Sequence, residues 1–195
     1  PGEGVALRFD DRRNDHEVEL AVIIGEGGSD IAEADAMGHI CAYSIGLDMT
    51  VRGTEDRSLR KGIDTYSVLG PWLVTADEID DPQNLAVKLW VNGEVKQDFN
   101  TDDMAHKIPR IIEWVSSIHT LEPGDIIATG TNHRGLSSFQ DGDKVELECE
   151  GCGRLTINIQ DDLKRTWART TRLEHAESGA EGVQTPQLTG KYAPS

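Results

Sequence analysis

Hydrophobic residues along the chain form short runs with a period of two, separated by turns. The segment HEVELAVIIG, residues 16–25, alternates at first and then becomes wholly apolar, which predicts a strand that enters a core. ICAYSIGLDMTV, residues 40–51, predicts a second strand, and later strands are predicted at residues 126–129, 144–150 and 154–160. Asn92-Gly93 lies between AVKLWV and EVKQDF, a pattern typical of a two-residue hairpin.

Helical periodicity is confined to short stretches. One stretch carries five aliphatic residues at helical spacing: Ile108, Ile111, Ile112, Val115 and Ile118. Pro109 is tolerated there only in the first turn of the helix. Ser29 and Asp30 are predicted to cap a short alanine-rich helix, and Thr54 is predicted to cap another helix that ends at Gly62.

Strands outnumber helices, and the helices occur singly. This arrangement predicts an α+β fold, a mixed and mostly β sheet with a few short helices. The chain has 195 residues, about the length of one domain. We expect one folded domain over residues 1–173. A polar, irregular C-terminal arm is expected over residues 174–195, where no periodicity is visible.

The charge balance excludes several classes of partner. With a formal net charge of −16 and no cluster of Lys and Arg, the chain is not expected to bind nucleic acid or an anionic membrane surface. Its longest apolar stretch, Leu20 to Ile24, is too short to span a bilayer. Three cysteines indicate a reducing compartment, so we expect a cytoplasmic protein. Cys149 and Cys152 form C-x-x-C, but two further zinc ligands are missing at the usual spacing.

Two carboxylates at the edge of the first strand carry the main chemical signal. Glu17 and Glu19 are two residues apart, so their side chains leave the same face, and His16 points to the other. Their mutual repulsion is about 2–3 kcal/mol at an effective dielectric constant near 20. Asp48 ends the second strand, again beside apolar residues. Three carboxylates without Cys or His predict a hard cation, Mg²⁺ or alternatively Mn²⁺ or Ca²⁺. The alternative is a solvated outer face of an edge strand.

Five segments together resemble the C-terminal catalytic domain of the fumarylacetoacetate hydrolase family. They occur in the family's order over roughly residues 1–165: HEVELAVIIG, YSIGLDMTVRG, KGIDT before LGPW, VNGEV, and LEPGDIIATGT. The resemblance implies a rolled, mixed β-sheet domain, commonly a homodimer. It also implies a small anionic oxo-acid as substrate, which can chelate the metal through its carboxylate and 2-oxo group.

The family's functional residues can be carried over by position. The resemblance implies that Glu17, Glu19 and Asp48 are the metal ligands. Arg52, four residues after the metal aspartate, and Lys61, before the GP element, are implied to be catalytic and substrate-binding. Gly130 and Thr131 match the family's substrate loop. From the residues alone, Arg52 and Lys61 are equally well explained as helix-terminal surface charges, and Thr131 as a turn residue.

Three features depart from the family pattern. Glu55 stands where the family usually has glutamine, and the loop TGTNHRGLS places His133 and Arg134 where TGTPxGVG is common. The family's upstream segment, whose His and Glu activate water, is not found before residue 1. His133 is then the remaining candidate for a general base. We expect the chain to bind metal but to hydrolyse oxo-acids poorly by itself.

The resemblance therefore predicts a divalent-metal-dependent hydrolase that cleaves a C–C bond in a 2,4-dioxo, acylpyruvate-like acid. Polarisation of the 2-oxo group and stabilisation of developing charge by Lys61 would lower the barrier to cleavage. The alternatives are a decarboxylase or a hydratase/isomerase of a related 2-oxo acid, and a catalytically incomplete domain that binds metal and oxo-acid without turnover.

Overall fold

A computed structural model describes residues 4–9, 11–181, 186–189 and 193 of the chain. In this part of the chain the strands are β1 (Val5–Ala6), β2 (Asn14–Asp15), β3 (Val18–Ile24), β4 (Ile40–Asp48), β5 (Thr50–Val51), β6 (Ser67–Thr75), β7 (Ala86–Val91), β8 (Glu94–Asn100), β9 (Ile126–Ala128), β10 (Lys144–Cys149), β11 (Gly153–Gln160), β12 (Thr166–Trp167) and β13 (Gln187–Thr189). The α-helices are α1 (Arg57–Lys61), α2 (Ile108–Ser116) and α3 (Arg172–Glu177). Short 3-10 helices occupy Ala36–His39, Ala76–Glu78 and Thr101–Asp103.

Two sheets enclose the core. One has the strand order β6-β4-β3-β9 and is antiparallel throughout. The other has the order β1-β11-β10-β7-β8, with β1 parallel to β11 and the remaining pairs antiparallel. The predicted α+β fold, a mixed and mostly β architecture with few short helices, is therefore confirmed. No helix in the described part of the chain is long and apolar enough to cross a membrane.

Strand β3 lies at the centre of the core. All its residues are buried, from Val18 to Ile24, because β4 and β9 pair with its edges while both faces are covered. This burial explains why its sequence loses the alternation of a half-exposed strand. By contrast β10 alternates, with Val145, Leu147 and Cys149 buried. A charged side chain placed on β3 is therefore taken out of water.

The hairpin and the main helix form as predicted. Asn92 and Gly93 connect β7 to β8 with φ angles of 52° and 84°, the left-handed conformations that a type I′ turn requires. Helix α2 begins at Ile108 with Pro109 in its first turn and buries Ile112 against the core. These elements depend on local turn chemistry and on periodicity, which explains why the sequence specifies them.

The helix predicted after Ser29 and Asp30 is wrong. Asp30 has a φ of 50°, and its backbone N–H donates to Ser116 O over 3.0 Å, so the chain crosses the end of α2 instead of starting a helix. Only the 3-10 turn Ala36–His39 forms in this region. Helix α1 does end before Gly62, but its cap is Asp56, whose carboxylate accepts from the Leu59 N–H over 3.2 Å, and not Thr54.

The end of the chain contains more structure than the irregular arm predicted over residues 174–195. Residue 174 lies inside α3, whose N-terminus is a capping box between Thr171 and Glu174. Strand β13 pairs with β12, so residues 187–189 are held to the body of the domain. The T-x-x-E spacing at residues 171–174 is a helix-start signal that is readable in the sequence.

Candidate metal and active site

Three carboxylates meet where β3 begins and β4 ends. The Asp48 N–H donates to Glu17 O over 2.9 Å, which sets the end of β4 beside the residue that precedes β3. Glu17 and Glu19 project from the same face, as their spacing predicts. One carboxylate oxygen from each of the three residues lies within 4.8 Å of the other two. Antiparallel pairing thus brings together residues separated by about thirty positions in the chain.

Two basic side chains partly neutralise this cluster. Lys61 Nζ lies 2.8 Å from Glu17 Oε2 and also contacts Asp48 Oδ2. Arg52 donates from Nη2 to Glu17 Oε1 over 3.1 Å and from Nε to Asp15 Oδ2 over 2.7 Å. Burial by itself would lower the pKa of Lys61, but its contacts with Asp48 and Glu17 raise it above the ordinary value. Both cations are therefore charged, and both are shared between carboxylates.

Glu19 differs from the other two carboxylates in its surroundings. Its side chain is 4% exposed, and its hydrogen bond comes from the Gly130 N–H, 2.6 Å from Oε2. Within the described residues it forms no ion pair. Burial raises the pKa of Glu19 to about 7, although the Gly130 N–H opposes the shift. Burial also raises the pKa of Asp48, against the effect of Lys61. An oxygen-only donor set with this deficit of positive charge fits a hard divalent cation.

The loop after β9 is fastened to β3 beside the carboxylates. Gly130 has a φ of 96°, a conformation that favours glycine, and its N–H points at Glu19. The Thr131 hydroxyl donates to Val18 O over 2.6 Å and accepts from Gln97 Nε2 over 2.8 Å. Because this hydroxyl already has both partners, Thr131 serves here to hold the loop in place.

A neutral network lies on the opposite face of the chain from Glu17. His16 is buried, with Nδ1 2.7 Å from Gln97 Oε1 and Nε2 3.3 Å from the Ser137 N–H. Since Nε2 accepts from this N–H, the ring proton lies on Nδ1 and is donated to Gln97. Burial lowers the pKa of His16 to about 4, so the ring is neutral. His16 is therefore not a member of the carboxylate cluster.

A cavity of about 860 Å³ adjoins the cluster and does not contain it. Gly130 and Thr131 lie in its wall, together with Phe99, Trp114 and His133. Lys61 is not among the lining residues. The cavity therefore lies next to the carboxylate cluster, and the Gly130 loop separates the two. A ligand bound at the carboxylates could extend past Gly130 into this space.

His133 is placed at the cavity wall with one nitrogen already in use. Its Nδ1 lies 3.0 Å from Arg172 Nη1, and a guanidinium only donates, so Nδ1 accepts and the proton of the neutral ring lies on Nε2. Burial lowers the pKa of His133, and Arg172, Arg52 and Lys61 add to this effect. The ring is neutral, but in this arrangement its lone pair is not free to accept a proton from water.

The family is settled by a match to known sequences. The family model described as fumarylacetoacetate (FAA) hydrolase C-terminal matches residues 1–160. The chain belongs to this family. The carboxylate cluster and the Gly130 loop both lie within the matched residues.

Individual relatives in the fumarylacetoacetate hydrolase family support the same fold. The maleylpyruvate hydrolase of Aquipseudomonas alcaligenes is 49% identical over 159 residues, 82% of this chain and 55% of that protein. The structure of maleylpyruvate hydrolase from Sphingobium sp. SYK-6 with manganese(II) and pyruvate has a TM-score of 0.78 at 40% identity, covering 83% of this chain and 60% of that one. A bifunctional isomerase/decarboxylase of 4-hydroxyphenylacetate degradation from Salmonella dublin is 39% identical over 149 residues, 74% of this chain and 34% of that protein. The chain thus spans 55% of the first relative.

Two residues of the site were not identified from the sequence. Asp15 is fully buried and holds Arg52, although it belongs to a charged run that we interpreted as irregular. Its signal was available, because Asp15, Glu17 and Glu19 continue one period-two series on the same face. Gln97, on β8, holds the loop after β9 through Thr131 and the Asn132 carbonyl, and no local pattern distinguishes it from an ordinary strand residue.

Proposed function

We propose that this chain carries the metal and oxo-acid site of a hydrolase that cleaves a C–C bond in an acylpyruvate-like 2,4-dioxo acid. The observation that best supports this proposal is Glu19, a buried carboxylate that lies beside two further carboxylates and has no cationic partner among the residues that the structure describes. In this proposal Glu17, Glu19 and Asp48 hold one divalent cation. The manganese ion and pyruvate in the Sphingobium maleylpyruvate hydrolase structure support a divalent metal and a 2-oxo acid.

The basic residues then have distinct roles. A bound divalent cation would supply a Lewis acid that polarises the 2-oxo group. Lys61 Nζ lies at the edge of the cluster, where its charge can stabilise the negative charge that develops on the substrate during cleavage. Arg52 holds Glu17 in place while Asp15 holds Arg52. Gly130 and Thr131 position the substrate through the loop backbone.

Water activation is the step for which the described residues offer least. His133 is the nearest candidate for a base, and Arg172 occupies its Nδ1. We therefore expect His133→Ala to change kcat by less than about threefold, whereas loss of a true general base costs about 10²–10⁴-fold. A hundredfold loss would identify His133 as the base. Because Arg172 occupies the lone pair of His133, a domain that binds metal and oxo-acid without turnover is still an alternative function.

A second candidate is supported by a relative. The Salmonella protein is named an isomerase/decarboxylase, and its similarity spans most of this chain. Isomerisation or decarboxylation of a 2-oxo acid would use the same carboxylates and Lys61 but needs no attacking water. The absence of a placed base among the described residues suits such chemistry.

Product analysis distinguishes these functions. A panel of 2-oxo and 2,4-dioxo acids would be incubated with the protein and Mg²⁺ or Mn²⁺, with chelator-treated protein as control. Pyruvate plus a second acid indicates hydrolysis, CO₂ indicates decarboxylation, and an isomer of unchanged mass indicates isomerisation. If calorimetry detects binding of an oxo-acid and no substrate gives a product, the chain is a domain that binds metal and oxo-acid without turnover.

Three finer points belong to the same proposal. We propose Mg²⁺ as the working metal, since the donors are all carboxylate oxygens. We propose a homodimer, supported by the exposed apolar residues Trp72 and Leu73 on β6, an edge strand of its sheet. We propose a cytoplasmic location, supported by three free cysteines. Metal analysis, light scattering and cell fractionation test these points in turn.

A further inference from the structure

The C-terminal segment, residues 161–177, lies beyond the residues that match the family. The family model covers residues 1–160, so membership of the family assigns no role to this segment. The segment begins directly after β11, contains β12 and ends with α3. Any part that it has in the candidate site must follow from its own contacts.

Ion pairs anchor this segment to the body of the domain. Arg165 is buried and pairs with Asp161, with Nε 2.8 Å from Oδ2. Arg165 Nη1 also contacts the Phe9 carbonyl oxygen. Further along the segment, Arg169 donates to both carboxylate oxygens of the buried Asp143, over 2.6 Å and 2.7 Å. Because charge-assisted, bidentate pairs of this kind fix geometry, the segment has a set position before α3 begins.

The first residues of α3 hold the loop that follows β9. The Arg172 N–H donates to Leu136 O over 3.0 Å, and the Leu173 N–H donates to Arg134 O over 2.7 Å. The Arg172 guanidinium group lies 3.0 Å from His133 Nδ1. The first N–H groups of a helix have no acceptor within the helix, and here the loop carbonyls are the acceptors. The helix and the loop are therefore joined by both backbone and side-chain bonds.

The same loop reaches the carboxylate cluster at its other end. This Gly130 loop, residues 129–137, donates the Gly130 N–H to Glu19 Oε2 over 2.6 Å. The Thr131 hydroxyl donates to Val18 O over 2.6 Å. The loop is thus attached to β3 at its start and to α3 a few residues later. A shift at the second attachment is passed on to the first, because the connecting backbone is so short.

We propose that the C-terminal segment is a working part of the oxo-acid site, and that Arg172 is a positioning residue that holds the Gly130 loop against the carboxylate cluster. The inference rests on the proposed metal and oxo-acid site. The contacts of Arg172 are with Leu136 and His133, so it acts through the loop. A loop that is positioned before the ligand arrives loses less conformational entropy on binding. The segment therefore tightens oxo-acid binding without touching the ligand.

Proline at position 172 would break this attachment and spare the helix. Position 172 is the first of α3, where proline lacks only an N–H that the helix does not use. Thr171 before it has a ψ of 163°, the extended conformation that a following proline requires. Arg172→Pro therefore removes both the bond to Leu136 O and the contact with His133. Arg172→Met removes only the side-chain contact.

Calorimetry with pyruvate on the Mn²⁺-loaded protein measures the effect without turnover. We expect pyruvate to bind about tenfold more weakly to Arg172→Pro and about two- to threefold more weakly to Arg172→Met. Mn²⁺ affinity should stay within about threefold, because the carboxylate ligands lie on other elements. Amide hydrogen exchange of residues 129–137 should quicken in both variants, more in Arg172→Pro, while that of β3 is unchanged. Glu177→Ala, exposed at the end of α3, is the control and should change none of these quantities.

The result for Arg172→Pro distinguishes a positioning role from a structural one. Parental pyruvate affinity would overturn the role of Arg172 and leave the proposed oxo-acid site intact. An equal loss of Mn²⁺ and pyruvate affinity, with faster exchange in β3, would make Arg172 a structural residue and would also overturn the role. Should Arg172→Pro not fold, parental pyruvate affinity and parental loop exchange in Arg172→Met overturn it.

The parent protein tests the proposed function separately. If the parent binds no pyruvate in the presence of Mn²⁺, the proposed oxo-acid site is wrong. Faster exchange of residues 129–137 in Arg172→Pro would then still support the hold of Arg172 on the loop, and exchange at the parental rate would overturn it.

Discussion

Two groups of buried polar residues lie on opposite faces of the chain at the start of β3. They differ in whether each polar group has a hydrogen-bonding or charged partner within the protein. On one face His16 is neutral, and Gln97 uses all of its hydrogen-bonding capacity, accepting at Oε1 from His16 and the Val18 N–H and donating from Nε2 to Thr131 and the Asn132 carbonyl. On the other face Glu19 accepts one backbone N–H, from Gly130, and pairs with no cation in the described part of the chain.

This difference separates a structural network from the proposed binding site. Buried polar groups cost free energy unless each has a partner, and the His16 face meets that condition with the protein's own atoms. The Glu19 face does not, since Lys61 and Arg52 are shared among Glu17, Asp48 and Asp15. A protein keeps such a deficit where a ligand supplies the missing charge. We therefore assign stability to the first face and chemistry to the second.

The largest effect is expected from Glu19→Gln. Removing one of three carboxylate ligands should weaken Mn²⁺ binding by more than about 100-fold and should abolish turnover. This loss of affinity is larger than the loss of about 10–100-fold that is typical when a residue contacting a ligand is replaced. The pKa of Glu19 in the folded protein is about 7, above its ordinary value of 4.5, so at pH 8 the ionised group opposes folding. The metal-free variant should therefore be at least as stable as the parent at pH 8.

Calorimetry with Mn²⁺ and urea unfolding at pH 8 measure these two effects. Glu26→Gln, an exposed site, is the matched control and should change neither. Parental Mn²⁺ affinity in Glu19→Gln would show that the carboxylate is not a ligand.

Lys61→Met should act on turnover and not on metal retention. We expect kcat to fall about 10²–10³-fold, because the ammonium group acts on charge that develops during reaction. Metal affinity should hold or rise, since the lysine competes with the cation for Glu17 and Asp48. Lys144→Met, on an exposed strand end, serves as the control. An unchanged kcat would make Lys61 structural.

On the face that carries His16, Gln97→Leu should lower the stability of the protein and leave metal binding unchanged. The substitution leaves His16 Nδ1–H without its acceptor and Thr131 without its donor, at a cost of about 2–4 kcal/mol in the free energy of unfolding. Mn²⁺ affinity should stay within about threefold, a change of less than 1 kcal/mol. Gln160→Leu, exposed on β11, should change stability by no more than about 0.5 kcal/mol. A hundredfold loss of Mn²⁺ affinity in Gln97→Leu would contradict the separation of the two faces.

The smallest effect is expected from Ser137→Ala on the same face. His16 Nε2 loses the Ser137 hydroxyl at 3.3 Å but keeps the backbone N–H of the same residue, also at 3.3 Å. The free energy of unfolding should fall by about 1 kcal/mol or less. Thermal unfolding beside Ser67→Ala, an exposed serine on β6, measures it. A loss as large as that of Gln97→Leu would mean that the hydroxyl, and not the backbone, satisfies the ring.

Much of the fold could be predicted from local patterns. The strands β3, β4 and β7 to β11, the Asn92-Gly93 turn and helix α2 all follow from periodicity and turn chemistry. The helix predicted after Ser29 failed because Ser116, far along the chain, takes up the backbone donors of residues 30 and 31. The beginning of α3 was missed although its capping box is visible at Thr171 and Glu174.

The sequence by itself determined that Glu17 and Glu19 share a face and that Asp48 ends an apolar strand, because the period of a strand is a local property of the backbone. Only the tertiary structure decided which cations reach them, that Asp15 holds Arg52, and that Gln97 holds the Thr131 loop. It also decided that Arg172 and Leu173 of α3 hold the Gly130 loop by its backbone carbonyls. The reason is that pairing and burial depend on distances in the folded chain, and these distances are set by packing between elements remote in sequence.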